Sequence, residues 1–409
     1  MPADASPSPG PLRESPSRGR LLLGSAIALV SLAVILRLTL TPASTGSWVS
    51  APIHCVICGP SGLANLLRNI LLFMPLGAGL GLALRRPVVA WLLTVALTAF
   101  IELHQFDIPG RNPLLIDFAT NAMGGGLGVI WARGILRSRA RGLVIAWVLV
   151  VATGLLGSAV AFRADWPGEP WFMQWTARLG HFEAYDGRIL GAKVGERSLP
   201  PGRSGETAAV QAALEGGDTL EVRFELGTPP RALAPILSIY NADREEVLVL
   251  GRSGDDLVLR LPYRAAALTL DQPDHRVRGA LEGLQAGDTA TLHFVFRSDG
   301  ACFGLVGEMR CDIRPHVGMS WALLLFPGEE SRGVIHLLGI VWLLGLSLPV
   351  GLLASSWREA GAAAGAIGAA ALLAPLVPGT LAALSLSTAL VLVGGVLAGH
   401  GLRPLVPGR

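Results

Sequence analysis

The chain has 409 residues, 51% of them hydrophobic and only 15% charged, with a formal net charge of +3. So apolar and sparsely charged a composition excludes an ordinary soluble globular protein. The positive residues gather in short clusters between apolar runs, without forming one basic face, and this excludes a nucleic-acid partner.

Residues 1–20, MPADASPSPGPLRESPSRGR, are rich in Pro and Ser and cannot bury enough apolar surface to fold; a disordered cytoplasmic tail is expected. The run from Leu21 to Leu40 has the length of a spanning helix, about 20 residues, and no small-x-small cleavage site follows it clearly. It reads as a retained helix, with Arg37 near its outer end able to snorkel. Further apolar runs lie at about 63–84, 87–106, 114–133, 142–162, 333–354, 360–377 and 379–399. The reading is a membrane α-helical bundle of about eight transmembrane helices: a five-helix domain over 21–162 and a three-helix region over 333–409. The Ala/Gly run 360–377 is the weakest, so seven crossings stay open.

Arginines at 13, 18 and 20, at 85 and 86, at 133, 137, 139 and 141, at 358, and at 403 and 409 mark alternate connections. The positive-inside rule then puts both termini in the cytoplasm and three segments outside: 42–62, 107–113 and 163–332. All four cysteines, Cys55, Cys58, Cys302 and Cys311, fall in those outer segments, where disulfides persist. A local disulfide is expected between Cys302 and Cys311. "HCVICG", with His54, Cys55 and Cys58, reads as a disulfide in preference to thiol exchange, and it lacks the second pair that a structural zinc needs. Neither a metal nor a cofactor is expected.

Between 163 and 332 the pattern becomes short alternating runs, among them "TLEVRFEL", "PILSIYNA", "DLVLRL", "TATLHFVF" and "SWALLLF", separated by Gly/Asp/Ser turns and without helical periodicity. An extracytoplasmic antiparallel β-sandwich is expected between the fifth and sixth spans. Its hairpins, such as "ILSIYNADREEVLVLGRSGDDLVLRL", resemble the concanavalin A-like (laminin-G-like) jelly roll. That resemblance implies binding of a glycan or protein, since the closely spaced strand carboxylates of its hydrolytic members are missing. Trp166, Trp171 and Trp175 read either as sugar-stacking residues or as interfacial anchors.

Polar residues recur at one level of spans two to four. Asn65, Arg68 and Asn69 open the second span, Glu102 and Gln105 close the third, Arg111 sits in the turn, and Asp117 and Asn121 open the fourth. Charges inside spans cost about 2.5–3.5 kcal/mol each at the centre, so they face partners or a wet cleft. Glu102, Arg111 and Asp117 are expected to satisfy one another, as a ligand-binding pocket or as a structural pin. His104, on another face, reads as an interfacial histidine. "GGGLG" at 124–128 lies in an apolar run with no preceding strand, and so reads as a packing stripe instead of a dinucleotide loop.

"NILLFMPLG", "IELHQ", "GR" and "DFATNAMGG" resemble the VanZ-like family, in the order Asn-x-x-x-Phe-x-Pro-x-Gly, Glu-x-x-Gln, Gly-Arg and Asp-x-x-x-Asn-x-x-Gly. The pattern falls on Asn69, Phe73, Pro75, Gly77, Glu102, Gln105, Gly110, Arg111, Asp117, Asn121 and Gly124, within residues 20–160. The family takes its name from a low-level teicoplanin-resistance protein, so the resemblance implies a bacterial cell (inner) membrane protein acting at the envelope. Two functions follow. One is a non-catalytic protein binding a cell-wall glycan, a lipid-linked precursor or an envelope protein. The other is an enzyme on a lipid-linked precursor, with Glu102 and Asp117 as the candidate catalytic acid and base.

Overall fold

The structure is a computed structural model that describes residues 18–42, 52–136, 141–168, 170–175, 182–203, 206–297, 300–325, 332–376 and 381–405. The expected tail, residues 1–17, lies outside them. Five long helices come first: α1 (Arg18–Thr39), α2 (Gly62–Ala83), α3 (Pro87–Gln105), α4 (Leu115–Leu136) and α5 (Arg141–Ala161). Twelve strands with one short helix, α6 (Thr207–Glu215), follow, and α7 (Arg332–Leu353), α8 (Trp357–Leu373) and α9 (Leu386–Leu402) close the described chain.

The eight expected runs are thus eight helices, but six among the described residues are long and apolar enough to cross a membrane: α1, α2, α3, α5, α7 and α8 extended to Leu376. The Ala/Gly run is among them. α9 has only 17 residues, and α4 carries Asp117, Asn121 and Arg133 among its glycines. The face of α4 that carries Asn121, Gly124, Gly125, Gly128 and Ala132 is buried against α2 and α3, while Leu115, Met123, Leu127 and Ile130 stay exposed. A helix shielded by neighbours need not match lipid all round.

Helix directions follow from the close contacts. A Cβ at Gly124 would meet Ile70, at Gly128 Met74 and Ala78, and at Gly81 Ala132, so α2 and α4 run parallel. Gly125 against Thr94, with Asn121 bonded to Thr98, makes α3 antiparallel to α4. Gly24 against Ala83 and Ala28 against Gly79 make α1 antiparallel to α2. The glycines expected as a packing stripe therefore do bring backbones together. Consecutive helices alternate in direction, which gathers the C-termini of α1 and α3 and the N-termini of α2 and α4 at one end.

The β-domain attaches at that same end. One antiparallel sheet has the order β4-β1-β6-β7-β8-β9 and the other β12-β11-β10-β5-β2-β3. In chain order the strands are β1 (Phe172–Trp175), β2 (Arg188–Val194), β3 (Arg197–Ser198), β4 (Gly202–Arg203), β5 (Leu220–Glu225), β6 (Ala234–Tyr240), β7 (Glu246–Ser253), β8 (Asp256–Arg260), β9 (His275–Val277), β10 (Thr289–Arg297), β11 (Gly300–Leu305) and β12 (Glu308–Ile313). Leu237, Leu248, Leu250 and Leu259 from the first sheet and Phe224, Phe294 and Phe303 from the second are fully or almost fully buried in a single apolar core. Both expected disulfides form, Cys55–Cys58 and Cys302–Cys311, the second joining β11 to β12.

Two local expectations fail. Thr207–Glu215 is helical, because Val210, Ala213 and Leu214 repeat at three and four residues and bury one face, and Gly216 and Gly217 follow. "SWALLLF" is not a strand: Val317–Leu323 forms a 3-10 helix packed on α7, where Gly339 meets the Gly318 carbonyl.

Candidate functional site

Every polar position expected at the shared level does lie there, but the partners differ from the expected triad. Asn69 Nδ2 donates to Asp117 Oδ1 at 2.8 Å, joining α2 to the first turn of α4. An acid in a first helical turn is favoured by the free N–H groups and the positive end of the dipole. Glu102 Oε2 accepts from the Leu114 N–H at 3.2 Å, across the turn, and lies within range of the Asp117 charge. Asn121 Nδ2 donates to Thr98 Oγ1 at 3.0 Å, while its buried Oδ1 has no hydrogen-bond partner.

Arg111 does not sit between the two carboxylates. Its Nε donates to the Thr41 carbonyl at 3.1 Å and its Nη2 to the Leu38 carbonyl at 2.5 Å. Gln105 Nε2 likewise donates to the Thr39 carbonyl at 3.1 Å. The last carbonyls of α1 have no partner within the helix, and a guanidinium and an amide supply donors there. Gly110, at φ 77°, provides the left-handed backbone that folds the short turn back and aims Arg111 at α1. Gln105 and Arg111 therefore fasten α1 to the α3–α4 turn.

The cation of this cluster is Arg68. It donates to Asn65 on its own helix, its charge reaches Asp117, and its Nη1 lies 3.6 Å from Asp271 Oδ2 in the β-domain. Thr98, Leu114 and Asp271 touch the cluster without having been expected from sequence. Thr98 had a readable signal, one turn before Glu102 on the face opposed to Asn121. Asp271 had none, since it lies about 200 residues away in a separate domain.

The remaining candidates lie apart from this cluster. His104 Nδ1 donates to the Phe100 carbonyl of its own helix at 2.9 Å. The Cys55–Cys58 loop is tied to α4 through Leu115 N–H to the Ile53 carbonyl at 3.0 Å. Trp171 is fully buried in the β-domain, with its indole N–H on the Pro167 carbonyl, and Trp166 packs on it and on Phe296. Trp175 Nε1 donates to the Leu199 carbonyl. Trp166 and Trp175 are half-buried and pack against the same core. Their apolar area goes into the core of the sandwich.

The architecture defines a class: a helical protein with membrane-like spans, a cluster of polar side chains at one end of four helices, and a two-sheet domain docked at that end. Residues 7–137 match the family model described as VanZ/LLP1. The match covers the helices that build the cluster and stops before α5, so the β-domain and α7–α9 lie outside it. No curated protein matches the chain, and no solved structure does. The match covers less than half of the chain, and the six apolar helices beside it are those of a membrane-like protein.

Proposed function

We propose that this protein binds an anionic component of the bacterial cell envelope, a wall or lipid-linked headgroup, in the pocket formed by Asn65, Arg68, Asn69, Glu102, Asp117 and Asn121. Gln105 and Arg111 hold α1 against that pocket. The supporting observation is the Asn69–Asp117 hydrogen bond at 2.8 Å with Arg68 and Glu102 beside it, at the end of the bundle that carries the β-domain. Arg68 supplies a guanidinium for a phosphate or carboxylate, and the amides complete the site. The pocket belongs, on this reading, to the extracytoplasmic side of the inner membrane. The sandwich, a concanavalin A-like jelly roll, would bind wall glycan or a partner protein, in a role in glycopeptide tolerance or envelope stress.

The test is Glu102→Gln and Asp117→Asn in cells, with glycopeptide sensitivity and lipid-linked precursor pools measured. Both variants are expected to accumulate normally and to show the phenotype of a deletion. Wild-type behaviour of both at normal protein levels would make the cluster a structural pin.

A further inference from the structure

The β-domain reaches into the pocket at one point, residues 269–271. The Thr269 carbonyl accepts from the Leu63 and Ala64 N–H groups at 3.1 and 3.2 Å, and its Oγ1 accepts from Leu63 at 3.0 Å. These are free N–H groups of the first turn of α2, so a residue of the sandwich caps a helix of the membrane region. Thr269 does so at φ 52°. A β-branched residue rarely adopts this left-handed backbone, and such strain persists only where the surroundings hold it.

Two residues on, Asp271 is 7% exposed, and its Oδ2 makes no hydrogen bond although it lies 3.6 Å from Arg68 Nη1. The Ser61 hydroxyl donates to the same carboxylate, and the Asp271 N–H is bonded to the Leu323 carbonyl at 2.9 Å. The carboxylate is therefore fixed, while Arg68 is one-third exposed, beyond hydrogen-bond reach of it and bonded to Asn65 on its own helix. Burial also holds the Asp271 carboxyl above its usual range, the mark of a carboxylate poorly served by its surroundings.

We infer that Asp271 belongs to the polar site as the resident counter-ion of Arg68, and that a phosphate-class headgroup enters by replacing it, so that the β-domain sets the affinity of the membrane pocket. This rests on the anion-binding reading above. The exchange needs only a rotation of the Arg68 side chain, since Asn65 and Asn69 lie on the same helix and Asp117 is already within range of its charge. It also gives the attachment at Thr269 a purpose beyond tethering, because it holds Asp271 at the level of the pocket.

The experiment uses the full chain in nanodiscs of phosphatidylcholine. Inorganic pyrophosphate is titrated by calorimetry in one arm, and phosphatidic acid is added to the bilayer and scored by native mass spectrometry in the other; the arm that responds separates a free phosphate from a lipid headgroup. Asp271→Asn is expected to bind about threefold tighter than wild type, the scale of one partly exposed ion pair. Arg68→Gln is expected to lose at least about tenfold, as for a charge-assisted contact, and the double variant to behave as Arg68→Gln.

If Arg68→Gln loses binding while Asp271→Asn binds as wild type, Asp271 has no part in the site and the pocket reading survives. If wild type and Asp271→Asn bind neither probe, both readings fall. Hydrogen exchange at the Leu63 and Ala64 amides reports whether Asp271→Asn keeps the docking intact. Should it not, Ser61→Ala carries the test: releasing the carboxylate to close on Arg68 is expected to weaken binding about twofold, and tighter or unchanged binding overturns the inference.

Discussion

At the scale of single residues, the β-domain holds a buried histidine that ties its stability to pH. His275 is buried in β9, and the Tyr263 hydroxyl donates to its Nε2 at 2.6 Å. Burial lowers its pKa from 6.5 to about 4, partly opposed by the Asp274 charge and reinforced by His316. A base whose pKa is lower folded than unfolded binds fewer protons when folded. Stability is therefore complete above pH 6.5, declines as pH falls through 6.5 towards 4, and levels off below that. The loss amounts to about 3 kcal/mol. Unfolding of the β-domain by denaturant, followed by near-UV circular dichroism at pH 7.5 and pH 5, is expected to show the drop. His275→Gln should flatten most of it, with the rest falling to His316, whose pKa burial also lowers. Equal pH slopes for the variant and wild type would remove His275 from this role. At the same scale, Asn69, Glu102, Asp117 and Asn121 were legible in sequence because charged and amide groups stand out against an apolar background. Their partners were less so: nothing in the spacing of Arg111 says that it prefers the carbonyls of α1 to the two carboxylates nearer to it in the chain.

At the scale of elements, the pocket depends on how closely α2 and α4 approach. Asn69 reaches Asp117 because Gly124 and Gly128 let α4 lie directly against the backbone of α2 at Ile70 and Met74. A methyl at Gly128 would meet the Met74 carbonyl and the Ala78 nitrogen, both backbone atoms that cannot step aside cheaply. Gly128→Ala is expected to cost about 1–3 kcal/mol, the usual range for overpacking, and to abolish pocket function although no polar group is altered. Gly154→Ala on α5, where a Cβ meets nothing, should be silent. Melting temperatures in nanodiscs check both, and a Gly128→Ala protein as stable and active as wild type would mean that the stripe is not what sets the approach. Helix existence and the use of the glycines were readable from apolar length and small-residue spacing. α6 and the 3-10 turn at Val317–Leu323 were obscured for opposite reasons. A nine-residue Ala-rich helix is brief beside the strands around it, and "SWALLLF" has a strand's composition but packs on α7 as a tight turn.

At the scale of the whole molecule, the face of the membrane that the β-domain occupies decides which ligands the polar cluster can meet. α5 delivers the chain to it, with Ala265 N–H on the Ala161 carbonyl and Arg264 N–H on the Arg163 carbonyl, both at 2.9 Å. The alternating helix directions place the polar cluster and both disulfides with it at that end, while Arg85, Arg86 and Arg133 lie at the other, where Arg133 donates to the Leu84 carbonyl. Arginines next to short connections are held on the cytoplasmic side during insertion, and disulfides last only outside it. The two criteria are independent, and on both we propose the extracytoplasmic face for the β-domain. Val306, in the turn between β11 and β12, is 61% exposed and clear of the docking segment. With Val306→Cys, a membrane-impermeant thiol reagent is expected to label intact spheroplasts as fully as lysed ones, whereas a cysteine replacing Arg86, between α2 and α3, should react only after lysis. The reverse pattern would invert the bundle, turn the pocket towards the cytoplasm and remove wall components from the ligands it can meet. Binding of pyrophosphate by the purified protein would be untouched by that outcome, because the pocket chemistry depends on Arg68 and its neighbours and not on the side of the membrane they face.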